Sequence, residues 1–574
     1  MPLNTEPIAA GSLPRPAIAL RAAFRRGYSG EDLRADMLAG VVVGVVALPL
    51  SMALAIASGV PPQYGLYTAI VAGAVVAALG GSSVQVTGPT AAFVVLLAPV
   101  AARYGVAGLL LASMMAGVLL LAMGVARLGK VMEFVPMPVT TGFTAGIAIV
   151  IATLQLKDFL GLEVAKLPDH TLGRVAALAG ALPSAHFADA AIGALTLALL
   201  LVWPKLSPRI PGALVALSLA AVVAHFVPGA QAATIGSRFS YVVAGVTHSG
   251  IPRLPPLPLL PWAFPGPHGE PLGLSFEVLR ELAPAAFAIA LLGAIESLLS
   301  AVVADGMAGT RHDPDAELLA LGTGNILAPF FGGFAATGAI ARTATNIRSG
   351  ARSPIAAIVH SVFVLLAVLL LAPLLAYLPM ASLAALLLLV AWNMGEPRHV
   401  LRMLRAAPKS DVLLLLLCLF LTVVFDMVVS VTVGVLVGAL LFMRRMAEVS
   451  GGSVLAEHRL RSTLPLPKGV LVYQIAGPLF FGAARKAMEA LQRWDKTVKV
   501  LVLDMSGVPA LDVTGLVSLE SALERLHRGG VTVVVAGAQG QPLRAVLKAG
   551  WRKRAGVELF TSFEAALERA RTLV

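Results

Sequence analysis

Two short segments of this chain combine glycines, threonines and a helix start in a pattern suited to holding an anion. The first runs Gly80-Gly81-Ser82-Ser83 and on through Val86-Thr87-Gly88-Pro89-Thr90. The second runs Gly332-Gly333 and on through Ala336-Thr337-Gly338-Ala339-Ile340-Ala341-Arg342. Each reads as a glycine pair, a short extended bridge, a Thr-Gly step and the beginning of a helix. A helix that starts inside a membrane presents unpaired N–H groups and the positive end of its dipole. Two such ends facing each other make an anion site from backbone alone. Thr87, Gly88, Thr90, Gly338 and Ala339 are therefore candidate binding positions. Arg342, one turn into the second helix, adds a full positive charge. An arginine at that depth is costly unless it is paired or faces water. It is a candidate for binding the anion or setting the field, the alternative being a structural salt bridge to Glu296.

Glu296 lies mid-span in Gly293-Ala294-Ile295-Glu296-Ser297-Leu298-Leu299-Ser300. A carboxyl there can take up and release a proton as the site opens to each side, which is how proton coupling would work. Ser300, four residues on, shares its helix face. Asp305 is nearer the helix end and is expected to cap or anchor. Pro49 should break the first apolar helix and free backbone groups near its middle, which makes it a candidate substrate-binding position. Asp426 receives no role. The ten histidines show no metal-ligand spacing. No nucleophile–base pair, Walker loop or cofactor motif stands out, so neither an enzyme nor an ATP-driven pump is expected, and no cofactor or metal.

These residues need a membrane scaffold, and the composition supplies one. Of 574 residues 58% are apolar and 13% charged, with a mean hydropathy of +0.86. A soluble chain carries about 25% charged residues. One cysteine, Cys418, leaves no internal disulfide. The net charge of +12 would suit nucleic acid, but its placement argues otherwise. Arg21, Arg25, Arg26 and Arg34 precede the first apolar stretch. Arg127 with Lys130, Lys205 with Arg209, Arg348 with Arg352, the group Arg398, Arg402, Arg405 and Lys409, and Arg444 with Arg445 fall between or after later ones. This is the positive-inside pattern, with both termini cytoplasmic, an even number of spans and no nucleic-acid partner. The first 35 residues lack an apolar core with a cleavage site, so no removable signal peptide is read.

Apolar stretches cover 37–58, 64–80, 85–100, 106–126, 132–156, 187–203 and 212–227, then 280–304, 316–332, 337–347, 355–373, 376–394, 411–427 and 429–443. Seven precede and seven follow a connection, 228–275, with eight prolines between Pro252 and Pro271, expected to be extended and outside the cytoplasm. The two interrupted segments stand third in each set. Because seven is odd, the second set enters from the opposite side, so the halves are inverted repeats. Matched interrupted segments point to a transporter's substrate site.

From Ser453 to Val574, 27 of 122 residues are charged, the proportion of a soluble domain. Val470–Ile475, Val498–Leu503 and Val531–Ala536 read as strands. Ala483–Trp494, Thr514–Arg528 and Gln541–Ala549 read as helices, giving a small α/β domain. Thr514 is expected at a helix N-terminus, as its cap or as a phosphate acceptor.

Together these features resemble the SulP (sulfate permease) family of anion transporters over about 35–574. The resemblance is carried by Leu48-Pro49 with Gly59-Val60-Pro61-Pro62-Gln63-Tyr64-Gly65-Leu66-Tyr67, by Thr87-Gly88-Pro89-Thr90-Ala91, by the run from Glu296 to Gly306 and by Thr337 to Thr343. The tail is similar to the family's STAS domain, where Thr514 matches the position phosphorylated in anti-sigma factor antagonists. The resemblance implies fourteen transmembrane segments as a 7+7 inverted repeat with core and gate bundles, an elevator-like movement and a homodimer. The expected layout is 1–35 cytoplasmic, 36–450 transport domain, 451–468 linker and 469–574 STAS domain. It carries over Leu50, Leu54, Thr90, Ala341 and Arg342 as lining positions; other members have glutamine where Leu50 stands. Ala391-Trp392-Asn393-Met394, Arg405 to Asp411 and Leu421 to Met427 look like bacterial C4-dicarboxylate uptake members. That implies import of succinate or fumarate with protons across a bacterial inner membrane. Sulfate or bicarbonate transport is the alternative, bicarbonate members using sodium at an aspartate in the place of Glu296, with a hydroxyl at the Ser300 position. An uncoupled anion channel and a membrane-tethered regulator are the rivals from other classes.

Overall fold

The computed structural model describes residues 16–574 apart from 131–134, 165–166, 169, 208–209, 228–231, 244–245, 268, 426, 450, 455–465 and 481–496. The expected helix at Ala483–Trp494 and Asp426 lie outside the described residues. The chain divides into two units, up to Val435 and from Leu436 onward.

The first unit is helical. A short α1 (Ile18–Arg25) precedes α2 (Gly30–Ala57) and α3 (Pro62–Leu79). Ser29 and Asp32 form a reciprocal capping box that starts α2, each satisfying a backbone N–H that the helix itself leaves open. Next come β1 (Thr87–Gly88), α4 (Ala91–Val125), α5 (Met137–Leu160), α6 (Thr171–Ala181), α7 (Phe187–Leu206) and α8 (Gly212–Phe226). The proline-rich connection is not extended throughout. It holds α9 (Ile235–Arg238) and a hairpin of β2 (Ser240–Val243) and β3 (Val246–Ser249). The hairpin lies ahead of the prolines, whose segment is without helix or strand from 251 to 260, makes one turn at Pro261–Ala263, and then folds back so that Pro265 bridges antiparallel to Pro271.

The second repeat comprises α10 (Phe276–Ala308), α11 (Pro314–Leu327), β4 (Thr337–Gly338), α12 (Ile340–Arg348), α13 (Ile355–Leu375), α14 (Met380–Gly395), α15 (Pro397–Ala406), α16 (Lys409–Val424) and α17 (Met427–Val449). Among the described residues nine helices are long and apolar enough to cross a membrane. The remaining apolar stretches are half-helices or shorter helices, and α4 contains two stretches. Gly105, at φ 65° and ψ −163°, breaks α4 between them, a backbone state that a glycine adopts cheaply.

Equivalent helices pack equivalently. In one pair of contacts α2 lies on α13, and in its counterpart α10 lies on α4. Likewise α3 meets α13 as α11 meets α4, and α5 meets α16 as α14 meets α7. Pro49 does not break α2, which runs through it. A proline removes one N–H from the ladder, and in a buried membrane helix neighbouring groups hold the remaining turn in place.

The second unit is a five-stranded sheet in sequence order: β5 (Gly451–Val454), β6 (Val470–Ala476), β7 (Val500–Gly507), β8 (Thr532–Ala536) and β9 (Val557–Phe560). The last four strands are parallel, and β5 joins β6 antiparallel. Residues 451–454, expected in the linker, are thus a sheet edge, because Gly451-Gly452 follows the membrane unit closely and pairs with Ala476 and Ile475. Strand alternation divides the core. Tyr473, Leu501, Leu503, Val533 and Val535 pack on one face, with Leu519 and Leu523 of α18 (Val513–Arg528). The same face takes Val546 of α19 (Gly540–Lys548). Val472, Val500, Val502 and Val534 pack on the other, with Ala566 and Leu567 of α20 (Phe563–Thr572). Period-two side chains require that division.

Candidate functional site

The two interrupted segments meet. β1 and β4 pair antiparallel, Thr87 opposite Gly338 and Gly88 opposite Thr337. Beyond the strands, Ala339 N–H donates to the Val86 carbonyl at 2.9 Å, and Val86 N–H donates to Thr343 Oγ1 at 3.0 Å. This short ribbon brings together the N-termini of α4 and α12. Neither has a capping side chain: Ala339 has none to offer, and Thr90 does not bond back to its own helix. Instead Thr90 Oγ1 donates to Glu296 Oε2 at 3.0 Å. The opening N–H groups of both half-helices thus lack a side-chain acceptor, the condition under which helix ends bind anions.

Arg342 stands behind this pair of ends. It is 1% exposed, and its Nη2 donates to the Pro89 carbonyl at 2.8 Å. Nε and Nη1 are buried without a hydrogen-bond partner. The alternative, an Arg342–Glu296 salt bridge, is absent among the described residues; Glu296 is taken by Thr90 and Arg342 points to the Pro89 carbonyl. A buried guanidinium without a carboxylate partner imposes positive potential across the half-helix ends. Arg342 is thus enclosed behind the helix ends and tied to the Pro89 carbonyl ahead of α4, not displayed on a surface. Gly88 makes this possible, since a side chain there would collide with Nη1.

Of the other expected lining positions, Ala341 is exposed, Leu50 half-buried, and Pro49 and Leu54 buried. α2 packs against α12, so Pro49, Leu50 and Leu54 belong to the helix bordering the site. Ser300 is buried with its Oγ 3.4 Å from Thr343 Oγ1, one bond removed from the ribbon. Asp305 anchors as expected: it accepts from Thr310 Oγ1 at 2.8 Å and from His312 N–H at 2.9 Å. Thr514 does not cap α18. That bond belongs to Asp512, whose Oδ1 accepts from Gly515 N–H at 2.6 Å, and Thr514 lies exposed in the first turn.

Three residues of this neighbourhood escaped the sequence reading. Gln85 Nε2 donates to Ser297 Oγ at 2.9 Å and to Glu317 Oε1 at 3.1 Å. His360, fully buried on α13, has neither ring nitrogen bonded. A polar residue isolated in an apolar stretch was the available signal for Gln85 and His360. Glu317 follows Asp313 and Asp315 and resembles any acidic first turn.

Residues 33–418 match the sulfate permease family, and residues 462–566 match the STAS domain. The chain is 41% identical to YvdB of Bacillus subtilis (strain 168), over 93% of this chain and 97% of that protein. It is 31% identical to the bicarbonate transporter BicA of Picosynechococcus sp., over 91% and 92%. Identity is 30% to the sodium-independent sulfate anion transporter of Bos taurus, over 94% and 89%. The solved structure of the murine Slc26a9 anion transporter shares the fold at a TM-score of 0.82 and 19% identity, covering 97% of this chain and 94% of that one. The transmembrane domain of a cyanobacterial BicA superposes at 0.58 with 26% identity, covering 72% and 98%. These are transporters, not enzymes. With the family match spanning most of the membrane unit and the relatives aligned along nearly the whole chain, this protein belongs to the sulfate permease family and carries a C-terminal STAS domain.

Proposed function

We propose that the chain is a secondary transporter for a small inorganic oxyanion, sulfate or bicarbonate. The observation that carries this is the juxtaposition of two uncapped helix N-termini across β1 and β4, with the unpaired Arg342 guanidinium behind them. One compact cluster of donors suits a compact oxyanion better than a C4-dicarboxylate, whose two carboxylates stand at opposite ends of a carbon chain. The names of the relatives agree: BicA is a bicarbonate transporter, the bovine protein a sulfate anion transporter, and sulfate is the provisional substrate in the name of the Bacillus protein. Succinate or fumarate, the first expectation, therefore gives way to the alternative.

Glu296 supplies coupling. Its carboxylate, bonded to Thr90 at the mouth of α4, repels an arriving anion until a proton or a sodium ion neutralises it. The arginine-rich connections support a reading with both termini cytoplasmic in a bacterial inner membrane. An elevator-like shift of one helical bundle within a homodimer completes the cycle.

The test is uptake of labelled sulfate, bicarbonate and succinate into proteoliposomes, each with and without a proton or sodium gradient. Saturable sulfate or bicarbonate uptake, driven by one cation gradient and uncoupled in Glu296→Gln, is the expected result. Unsaturable flux that follows voltage would make the protein a channel, and uptake of succinate alone would restore the dicarboxylate.

A further inference from the structure

We propose that Glu317 is a positioning residue that clamps the interrupted segment at 80–90 and so holds the α4 N-terminus in register with α12. Glu317 lies on α11 and is 1% exposed. Its Oε2 accepts from Gly81 N–H at 3.0 Å and from Ser82 N–H at 3.2 Å. Its Oε1 accepts from Gln85 Nε2 at 3.1 Å, and the same Nε2 donates to Ser297 Oγ on α10 at 2.9 Å. One carboxylate thus ties residues 81–85 to two helices of the other repeat. It has no ion-pair partner among the described residues. Its ionisable neighbours are His312 and Asp313, and the amide donors stabilise this buried carboxyl.

The Gly80-Gly81 pair lies against the start of α11. A Cβ on Gly80 would stand 3.0 Å from Glu317 Oε2, and one on Gly81 would run into the Asp313 carbonyl. The glycines clear space for α11 to approach.

The inverted repeat supplies an internal control. The matching segment of the second repeat is held by three separate side chains: Phe334 N–H donates to Thr68 Oγ1 at 2.8 Å, Ala335 N–H to Ser113 Oγ at 2.9 Å and Ala336 N–H to Asn325 Oδ1 at 2.7 Å. The first segment instead hangs from one side chain that accepts three of its bonds. It leads within a few residues into Thr87, Gly88 and Thr90, so loosening it displaces the very N–H groups proposed to meet the anion.

Three variants separate geometry from charge. Glu317→Ala removes the acceptors and Glu317→Asp withdraws them by one methylene. Glu317→Gln keeps the reach: its Oε1 can face Gly81 and Ser82, and its Nε2 can face Gln85 if that amide flips, since Gln85 Oε1 is unbonded. The first readout is hydrogen exchange across 80–90 and 332–336 in full-length protein in nanodiscs, which needs no transport. Exchange should rise at least tenfold across 80–90 in Glu317→Ala and Glu317→Asp, stay near wild type in Glu317→Gln, and not change at 332–336, whose amides bond elsewhere. The second readout, which assumes the anion-carrier role proposed above, is the KM for sulfate and bicarbonate uptake. It should rise at least tenfold in the first two variants with Vmax within about threefold, and recover in Glu317→Gln. Unchanged exchange at 80–90, or raised exchange with an unmoved KM, overturns the positioning role. A wild-type protein that moves neither anion overturns the proposed function, and the exchange experiment still judges the clamp.

Discussion

Gly88→Ala is the sharpest probe of how the site is built. An added methyl would sit more than about 1 Å inside the ~3.5 Å separation comfortable for non-bonded atoms, with Arg342 Nη1 as its victim. The guanidinium is fully enclosed and its Nη2 is fixed to the Pro89 carbonyl at 2.8 Å, so it cannot swing into water. Overpacking a core costs about 1–3 kcal/mol. Displacing the arginine also forfeits a charged hydrogen bond worth about 1.5–3 kcal/mol. A loss of about 2.5–6 kcal/mol follows if the two add, at or beyond the limit of what a single substitution does. The decisive form of the test is a double-mutant cycle with Arg342→Ala. Once the guanidinium is gone, the nearest neighbour of the new methyl is the Ala69 Cα at 3.9 Å, an ordinary contact. Gly88→Ala should therefore add almost nothing in that background, a coupling of about 2 kcal/mol or more. The cycle would be read as apparent melting temperature of purified protein and as KM for anion uptake. Both single variants should be impaired, and the double no worse than Arg342→Ala alone. Additive losses would refute the placement of Arg342 against Gly88 and the idea that this contact sets the site.

Further outcomes follow from other parts of the chain. Thr90→Ala removes the hydroxyl that holds Glu296, and should change the dependence of uptake on the cation gradient more than Vmax; proteoliposome flux at several gradients checks this. In the STAS unit, Asp512→Ala should lower stability by about 1 kcal/mol through loss of the α18 cap, whereas Thr514→Ala should stay within about 0.5 kcal/mol as an exposed substitution; thermal unfolding of the full chain distinguishes them. Arg569 donates to both carboxylate oxygens of Glu558, at 2.7 and 2.9 Å, and holds that carboxyl below its usual range. Because the folded value is depressed, this contribution is complete above the unfolded value of about 4.3 and fades as pH falls through the folded one. Arg569→Gln should therefore flatten the acid side of the stability curve between about pH 5 and 3 while leaving its slope at neutral pH unchanged.

Much of this architecture was legible because membranes force a simple code. Apolar runs, arginine placement and the paired Thr87-Gly88 and Thr337-Gly338 steps pointed to inverted halves and facing half-helices, and both are present. Side-chain partnerships were less legible. Arg342 and Glu296 looked like natural partners, yet Glu296 bonds Thr90, because an isolated sequence shows charge and depth but not which face of each helix turns inward. Pro49 looked like a break, but the penalty for lost backbone bonds in a buried helix keeps α2 continuous. Glu317 was invisible for a different reason. Three acids follow one another at Asp313, Asp315 and Glu317, and only the fold shows that Asp313 caps α11 while Glu317 reaches 236 residues back to Gly81. The strand edge at 451–454 was missed because four residues beginning with two glycines carry almost no strand signal.

The reciprocal bonding of the two re-entrant segments bears on how the protein is made. Gly81, Ser82 and Val86 find their acceptors in Glu317 and Thr343, while Phe334 and Ala335 find theirs in Thr68 and Ser113. At membrane depth each open backbone group costs several kcal/mol. The first half leaving the ribosome therefore carries an unfinished seam at its centre, and nothing within that half closes the bonds at Gly81, Ser82 and Val86. Closure must wait for more than two hundred further residues to be synthesised and inserted. The seam can therefore close only once the chain has been made through Thr343, and until then the first half has open backbone groups that an insertase or chaperone would shelter.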